Sequence, residues 1–231
     1  MTPAAKEKGP SRMAPQVRLF LFHSEAAPLT VILRRGPSEH HRLILWHHDG
    51  DRFEDGQWLM ARVDPDLCAL SPDGRHMLVQ INDGAQWRHG FGCYTVLCRP
   101  PYFTALSLFP QPEPWIGGGA FYGTAHYAIN ARVPAHDLYA NDTGMTRVFA
   151  TGRGLVFLDN TPFDPPPAQH VPAPRCVAEG GQLFRVLDGA RSLIRDFTDM
   201  TFSPIRAPYA DQTGNRAPWH PLDAEVKLPC P

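Results

Sequence analysis

LCALSPDGRHMLV, residues 67–79, is the stretch on which the fold turns. Leu67, Ala69 and Ser71 alternate with Cys68 and Leu70, the period of two expected of a strand. Pro72 holds φ near the value a turn needs, and Asp73-Gly74 supplies the positive-φ position of a hairpin. Met77, Val79 and Ile81 resume the alternation. The unit reads as a β-hairpin, which raises the question of what its neighbours are.

Outward from it, strand patterns recur. VRLFLF (17–22) pairs with LTVILRR (29–35), and HRLILWHH (41–48) turns through Asp49-Gly50 into a short segment, which turns again through Asp55-Gly56 into QWLMARV (57–63). CYTVLCR (93–99) and YFTALSLF (102–109) flank Pro100-Pro101. GAFYGTAHYAINARV (119–133), TRVFATGRGLVFLDN (146–160) and GGQLFRVLDG (180–189) follow. These make roughly twelve to fourteen short strands. The single helix candidate, DGARSLIRDF (188–197), reads equally as a hairpin turn and its second strand. MTFSPIRAPY (200–209) carries two prolines, which confine it to a sheet edge or place it outside the sheet.

The bulk composition agrees. The chain has 231 residues, 43% hydrophobic and only 19% charged, with 25 prolines and 19 glycines. Many short elements joined by tight turns produce such numbers. We expect one β domain over residues 17–210, a polar disordered leader over 1–16 and an extended tail over 211–231. The expected class is all-β, a small β-propeller-like array of antiparallel sheets, with a β-sandwich as the alternative. Glycine turns at Gly74, Gly154 and Gly181 each precede an apolar strand, as a radially repeated unit would require.

A resemblance points the same way. LSPDGRHMLV is similar to the repeat of Tol-system and related WD-type propellers, where a Ser-Pro-Asp-Gly turn precedes an inner strand. The longer series CALSPDG, VLCRPPYFTALSLFP, WIGGGAFYG and GGQLFRV resembles propeller-like bacterial proteins across residues 60–190. The resemblance implies a radial array of sheets and brings no activity with it.

Charge excludes some functions. A net charge of −1 without a basic stripe argues against nucleic acid as a partner. No apolar run is long enough for a membrane helix, and the N-terminal stretch lacks the apolar core of a signal peptide. Five cysteines, an odd number without framework spacing, fit a cytoplasmic chain with free thiols.

Chemistry has few candidates. Eleven histidines include the pairs His40-His41 and His47-His48. On one strand, His41 and His47 stand about 20 Å apart, too far for one metal ion. A local metal site of His47 or His48 with Asp49 or Asp51 in the turn remains. His89, Cys93 and Cys98 form no zinc spacing, since a five-residue gap puts the two thiols on opposite strand faces. The glycines of WIGGGAFYG (115–123) could approach an anion closely, yet no lysine or helix follows them. Asp64, Asp66, Asp137, Asp142, Asp159 and Asp164 are the carboxylates from which a hydrolase would need a pair about 5–10 Å apart. FDPPPAQHVPAPRC (163–176) is a proline-rich connector or docking segment.

Residue types favoured at interface hot spots gather in QWRHGFGCYTVLCRPPYF and after it. The candidate partner-binding residues are Trp87, Arg88, His89, Tyr94, Arg99, Tyr102, Trp115 and Tyr122. The expected function is therefore a non-catalytic binding or scaffold protein, without cofactor, holding a protein partner or a small ligand on a rigid β platform. A hydrolase-like or metal-dependent enzyme with a His/carboxylate site at one end of the propeller is the alternative.

Overall fold

In a computed structural model of the chain, residues 17–84, 92–130, 144–151, 154–156 and 170–210 are described. They form five separate sheets. The first is an antiparallel meander of β1 (Arg18–His23), β2 (Leu29–Arg35), β3 (His40–His47) and β4 (Arg52–Met60). The second repeats that order with β5 (Arg62–Leu70), β6 (Met77–Asn82), β7 (Cys93–Cys98) and β8 (Ala105–Gln111). In the third, β9 (Gly119–Tyr122) pairs antiparallel with β10 (His126–Ile129), and β11 (Thr146–Arg147) joins parallel. The fourth is the hairpin β12 (Phe149–Thr151) and β13 (Gly154–Val156). The fifth is β14 (Cys176–Glu179), β15 (Gln182–Leu187) and β16 (Ala190–Asp196). Two single-turn 3-10 segments, Pro37–Glu39 and Asp49–Asp51, occupy turns. Among the described residues no helix is long and apolar enough to cross a membrane.

The continuous apolar runs in β2, β3 and β6 are explained by burial on both faces. Alternate residues of the first sheet, Val31, Leu33 and Leu43, meet Met77, Val79, Ile81 and Val96 of the second in the largest core. Their neighbours Ile32, Ile44 and Trp46 point the other way, onto Leu183 and Phe197 of the fifth sheet. Leu78, Leu97 and Phe109 leave the second sheet's far face to meet Tyr127 of the third. Each fully buried aliphatic side chain contributes about 1.5–3 kcal/mol. Sheets thus pack face to face in a sandwich-like series, with the C-terminal sheet returning to cover the N-terminal one. The first strands also meet in succession: β14 lies against β1, β1 against β5, and β5 against β9.

Polar pins cross these layers. The buried Arg34 donates from Nε to the Phe197 carbonyl at 2.7 Å and from Nη2 to the Thr198 carbonyl at 2.9 Å, tying β2 to the end of β16. Buried Gln57 accepts from the backbone N–H groups of Phe103 and Thr104 at 2.8 and 2.9 Å and donates to the Ile205 carbonyl at 2.8 Å. That fastens the 201–210 segment to both large sheets.

The opening hairpin is present as read. Gly74 adopts φ +75°, and Asp73 accepts from the Ser71 hydroxyl at 2.7 Å and from the Arg75 N–H at 3.1 Å. Its first strand departs from simple alternation, because the register slips between Asp64 and Ala69. Pro65 has no N–H to give the ladder, and a bulge results. Of the two readings of 188–197, the hairpin turn with its second strand holds, as β16 entered through Asp188 and Gly189 at positive φ. The expected turn at Asp55-Gly56 instead lies inside the continuous strand β4. The stretch 119–133 breaks at Gly123 into two strands. β14 lies where only the end of a proline-rich connector was expected. Residues 201–206 form no strand, as Pro204 requires of a central ladder. The leader 1–16 and the tail 211–231 lie outside the described residues.

Candidate functional site

The described members of the expected aromatic patch have different surroundings. Trp87, Arg88 and His89 lie outside the described residues. Tyr94 is fully buried in the main core, because its strand position faces the first sheet. Arg99 and Tyr102 turn towards the chain's own Tyr209. The Arg99 guanidinium sits 5.8 Å from the Tyr209 ring centre, and the Tyr102 ring meets that ring edge-on at 6.1 Å. Trp115 is exposed, 68%, on the turn before the glycine run. Tyr122 ends β9 beside an open cleft.

The four metal candidates separate as well. His47 Nε2 contacts Glu54 Oε1 at 2.8 Å, and Arg52 reaches the same oxygen at 2.6 Å. Asp51 accepts from Trp46 Nε1 at 3.1 Å and from Arg185 at 2.7 Å, which occupies it in the contact between sheets. His48 turns inward to Thr30, Nε2 to Oγ1 2.8 Å, and His23 Nδ1 meets the same hydroxyl at 2.7 Å. One hydroxyl proton serves one imidazole as acceptor, so the other imidazole donates its N–H to Oγ1. Burial lowers the pKa of both rings, and for His48 the neighbouring His23 adds to it. Asp49 joins neither contact. Among the described residues no three His, Cys, Asp or Glu side chains converge as a metal would need.

In the glycine run the Gly118 N–H is turned onto side chains of the second sheet. The Gly118 N–H donates to Thr95 Oγ1 at 2.8 Å and to Gln80 Oε1 at 3.1 Å, and Thr95 donates to Gln80 at 2.6 Å. The glycines are needed for close approach. Gly118 holds φ +66°, and a Cβ there would collide with the Leu67 carbonyl oxygen. A Cβ on Gly119 would collide with the Ala128 carbonyl oxygen. Cys93 donates to Asn82 Oδ1 at 2.7 Å, and Cys98 is in the core, so the two thiols stay apart.

What the structure builds here is a cleft of about 380 Å3, where the β5 bulge faces β9 and β10. That volume falls in the range of about 300–1,000 Å3 typical of small-molecule sites. It is lined by Asp66, Leu67 and Cys68 from β5, by Gly117, Gly119, Ala120 and Tyr122 from the glycine run and β9, and by Ala128, Ile129 and Asn130 at the end of β10. The walls are rigid. Asp66 N–H donates to Asp64 Oδ1 at 3.3 Å, Cys68 Sγ to the Asp64 carbonyl at 3.2 Å, and Asn130 N–H to the Gly118 carbonyl at 3.0 Å. Burial pushes the Cys68 thiol up to about 12, so it is no nucleophile. Among the described residues the Asp66 carboxylate, the Tyr122 hydroxyl and the Asn130 amide have no hydrogen-bond or ion-pair partner.

No known protein family, curated protein or solved structure matches this chain. The site therefore stands on its own geometry. Tyr122 was legible as a candidate, and Asp66 only as one turn-like carboxylate among six. Asn130 carried no signal beyond being a polar residue closing an apolar strand. Of the other carboxylates, Asp137, Asp142, Asp159 and Asp164 lie outside the described residues.

Proposed function

We propose that the chain is a non-catalytic binding protein that holds a small polar ligand in the cleft between the β5 bulge and β9–β10. The observation carrying this reading is the conjunction of a preformed cleft with three available polar side chains on its walls. A ligand that replaces water at Asp66, Tyr122 and Asn130 satisfies groups the protein leaves open. The scaffold in this reading is propeller-like. Two successive four-stranded antiparallel meanders, with β14, β1, β5 and β9 touching in series and the last sheet against the first, support it. In such an array the cleft lies between the innermost strands of neighbouring blades, beside the shared axis. A cytoplasmic setting belongs to the same reading and is supported by free thiols at Cys68, Cys93, Cys98 and Cys176.

The test is amide chemical-shift mapping against a panel of small polar compounds. Binders are expected to move the signals of Ala120, Ile129 and Asn130 together. Binders that move only residues elsewhere on the sheets would refute the cleft as the site.

A further inference from the structure

We propose that the cleft selects ligands carrying a cationic amine beside hydroxyl groups, an inference that rests on the cleft being the binding site. Among the described residues Asp66 is the one charged side chain on its walls, and its carboxylate has no ion-pair partner. No Lys, Arg or His lines the cleft among the described residues. The nearest cation in sequence, Arg62, stands at the other end of the bulge, in register with Asn82 of β6. Asp64, the next carboxylate of the bulge, adds further negative charge and holds the Asp66 backbone through its Oδ1. An anion brought here would meet the Asp66 carboxylate and, among the described lining residues, no counter-charge. An ammonium group would gain one charge-assisted hydrogen bond to Asp66, and the aromatic Tyr122 lines the same cleft. The Tyr122 hydroxyl and the Asn130 amide each offer both donor and acceptor, which suits ligand hydroxyl groups. Charge thus separates amines from acids, while the phenol and the amide accept the ligand's neutral part.

The experiment compares matched probes on the intact chain at about pH 6, below the pKa of ordinary amines. Glucosamine, glucose and glucuronate share one skeleton and differ in charge, and butylamine, butanol and butyrate repeat the series on a short chain. Titrations followed at Ala120 and Ile129 should give about three- to tenfold tighter binding for each amine than for its neutral partner, with the acids weakest. The preference should shrink in high salt. In Asp66→Asn, which changes an exposed side chain and should melt as the parent does, the amine-to-neutral ratio should fall to about one. Equal affinity for amine and neutral probes, tighter acids, or a preference that survives Asp66→Asn would each overturn the charge inference and leave the cleft as a site. No movement at the cleft with either series would overturn the cleft reading along with it.

Discussion

The Tyr209 hydroxyl donates to the Thr104 carbonyl at 2.8 Å and accepts from the Arg99 N–H at 3.2 Å. One phenol near the end of the described chain thereby locks the turn between β7 and β8. Tyr209 is buried against Leu106 and Ala207, with Tyr102 packed beside it. Removing only the hydroxyl, in Tyr209→Phe, should cost about 1 kcal/mol, and Tyr209→Ala about 3–5 kcal/mol, in chemical denaturation. A smaller loss from the alanine than from the phenylalanine would show that this segment does not hold the sheet. Arg99 and Tyr102 would then be open to a partner after all.

Gly118→Ala tests the approach of the glycine run to β5. The left-handed backbone alone costs a non-glycine residue about 1–3 kcal/mol, and the new Cβ would strike the Leu67 carbonyl oxygen. A large drop in melting temperature is expected, together with loss of ligand response at the cleft. Gly189→Ala, also at positive φ but with nothing near its Cβ position, is the control and should lose only the backbone part.

Stability should decline in mild acid. Burial is the main cause lowering the pKa of His23, His41 and His48. The unfolded chain takes up protons near pH 6.5 while the folded chain resists them, so the folded state binds fewer protons. Stability is fully present above about pH 6.5 and is lost as pH falls towards the folded values. Each histidine adds at most about 1.4 kcal/mol per pH unit to that slope. Urea unfolding at a series of pH values should show it, and His48→Gln should flatten it. An unchanged slope in that variant would remove the His23–Thr30–His48 cluster from the account.

Thiol labelling should report folding. Burial pushes the Cys68 thiol up to about 12 and the Cys98 thiol up as well. Iodoacetamide at about pH 8 should leave both unmodified in the native chain and label them once it is denatured, as peptide mass spectrometry can read. Rapid native labelling of Cys68 would mean that the β5 bulge opens to solvent.

Much of this architecture was legible in local pattern. The Ser71–Gly74 turn announced a hairpin because Asp73 and Gly74 suit few other backbones, and the apolar runs in β2 and β3 announced strands. β16 was half-legible, since ARSLIRD lacks a decisive period and pairing with β15 chose strand over helix. The bulge in β5 hid behind good alternation, because pairing register depends on the partner strand as well as on Pro65.

Alternation alone determines which side chains share a face of a strand, and that much belongs to the sequence. Which sheet covers that face is a non-local matter, settled only when distant strands pack. So Tyr94, suited by type to an interface, is sealed in the core between two sheets, while Arg99 and Tyr102 hold the chain's own Tyr209. So too Asp66 and Asn130, remote in sequence, reach one cleft because β5 bulges and three glycines let the third sheet come close. A polar residue type states what a site could bind, and the packing of backbone against backbone decides whether a site exists.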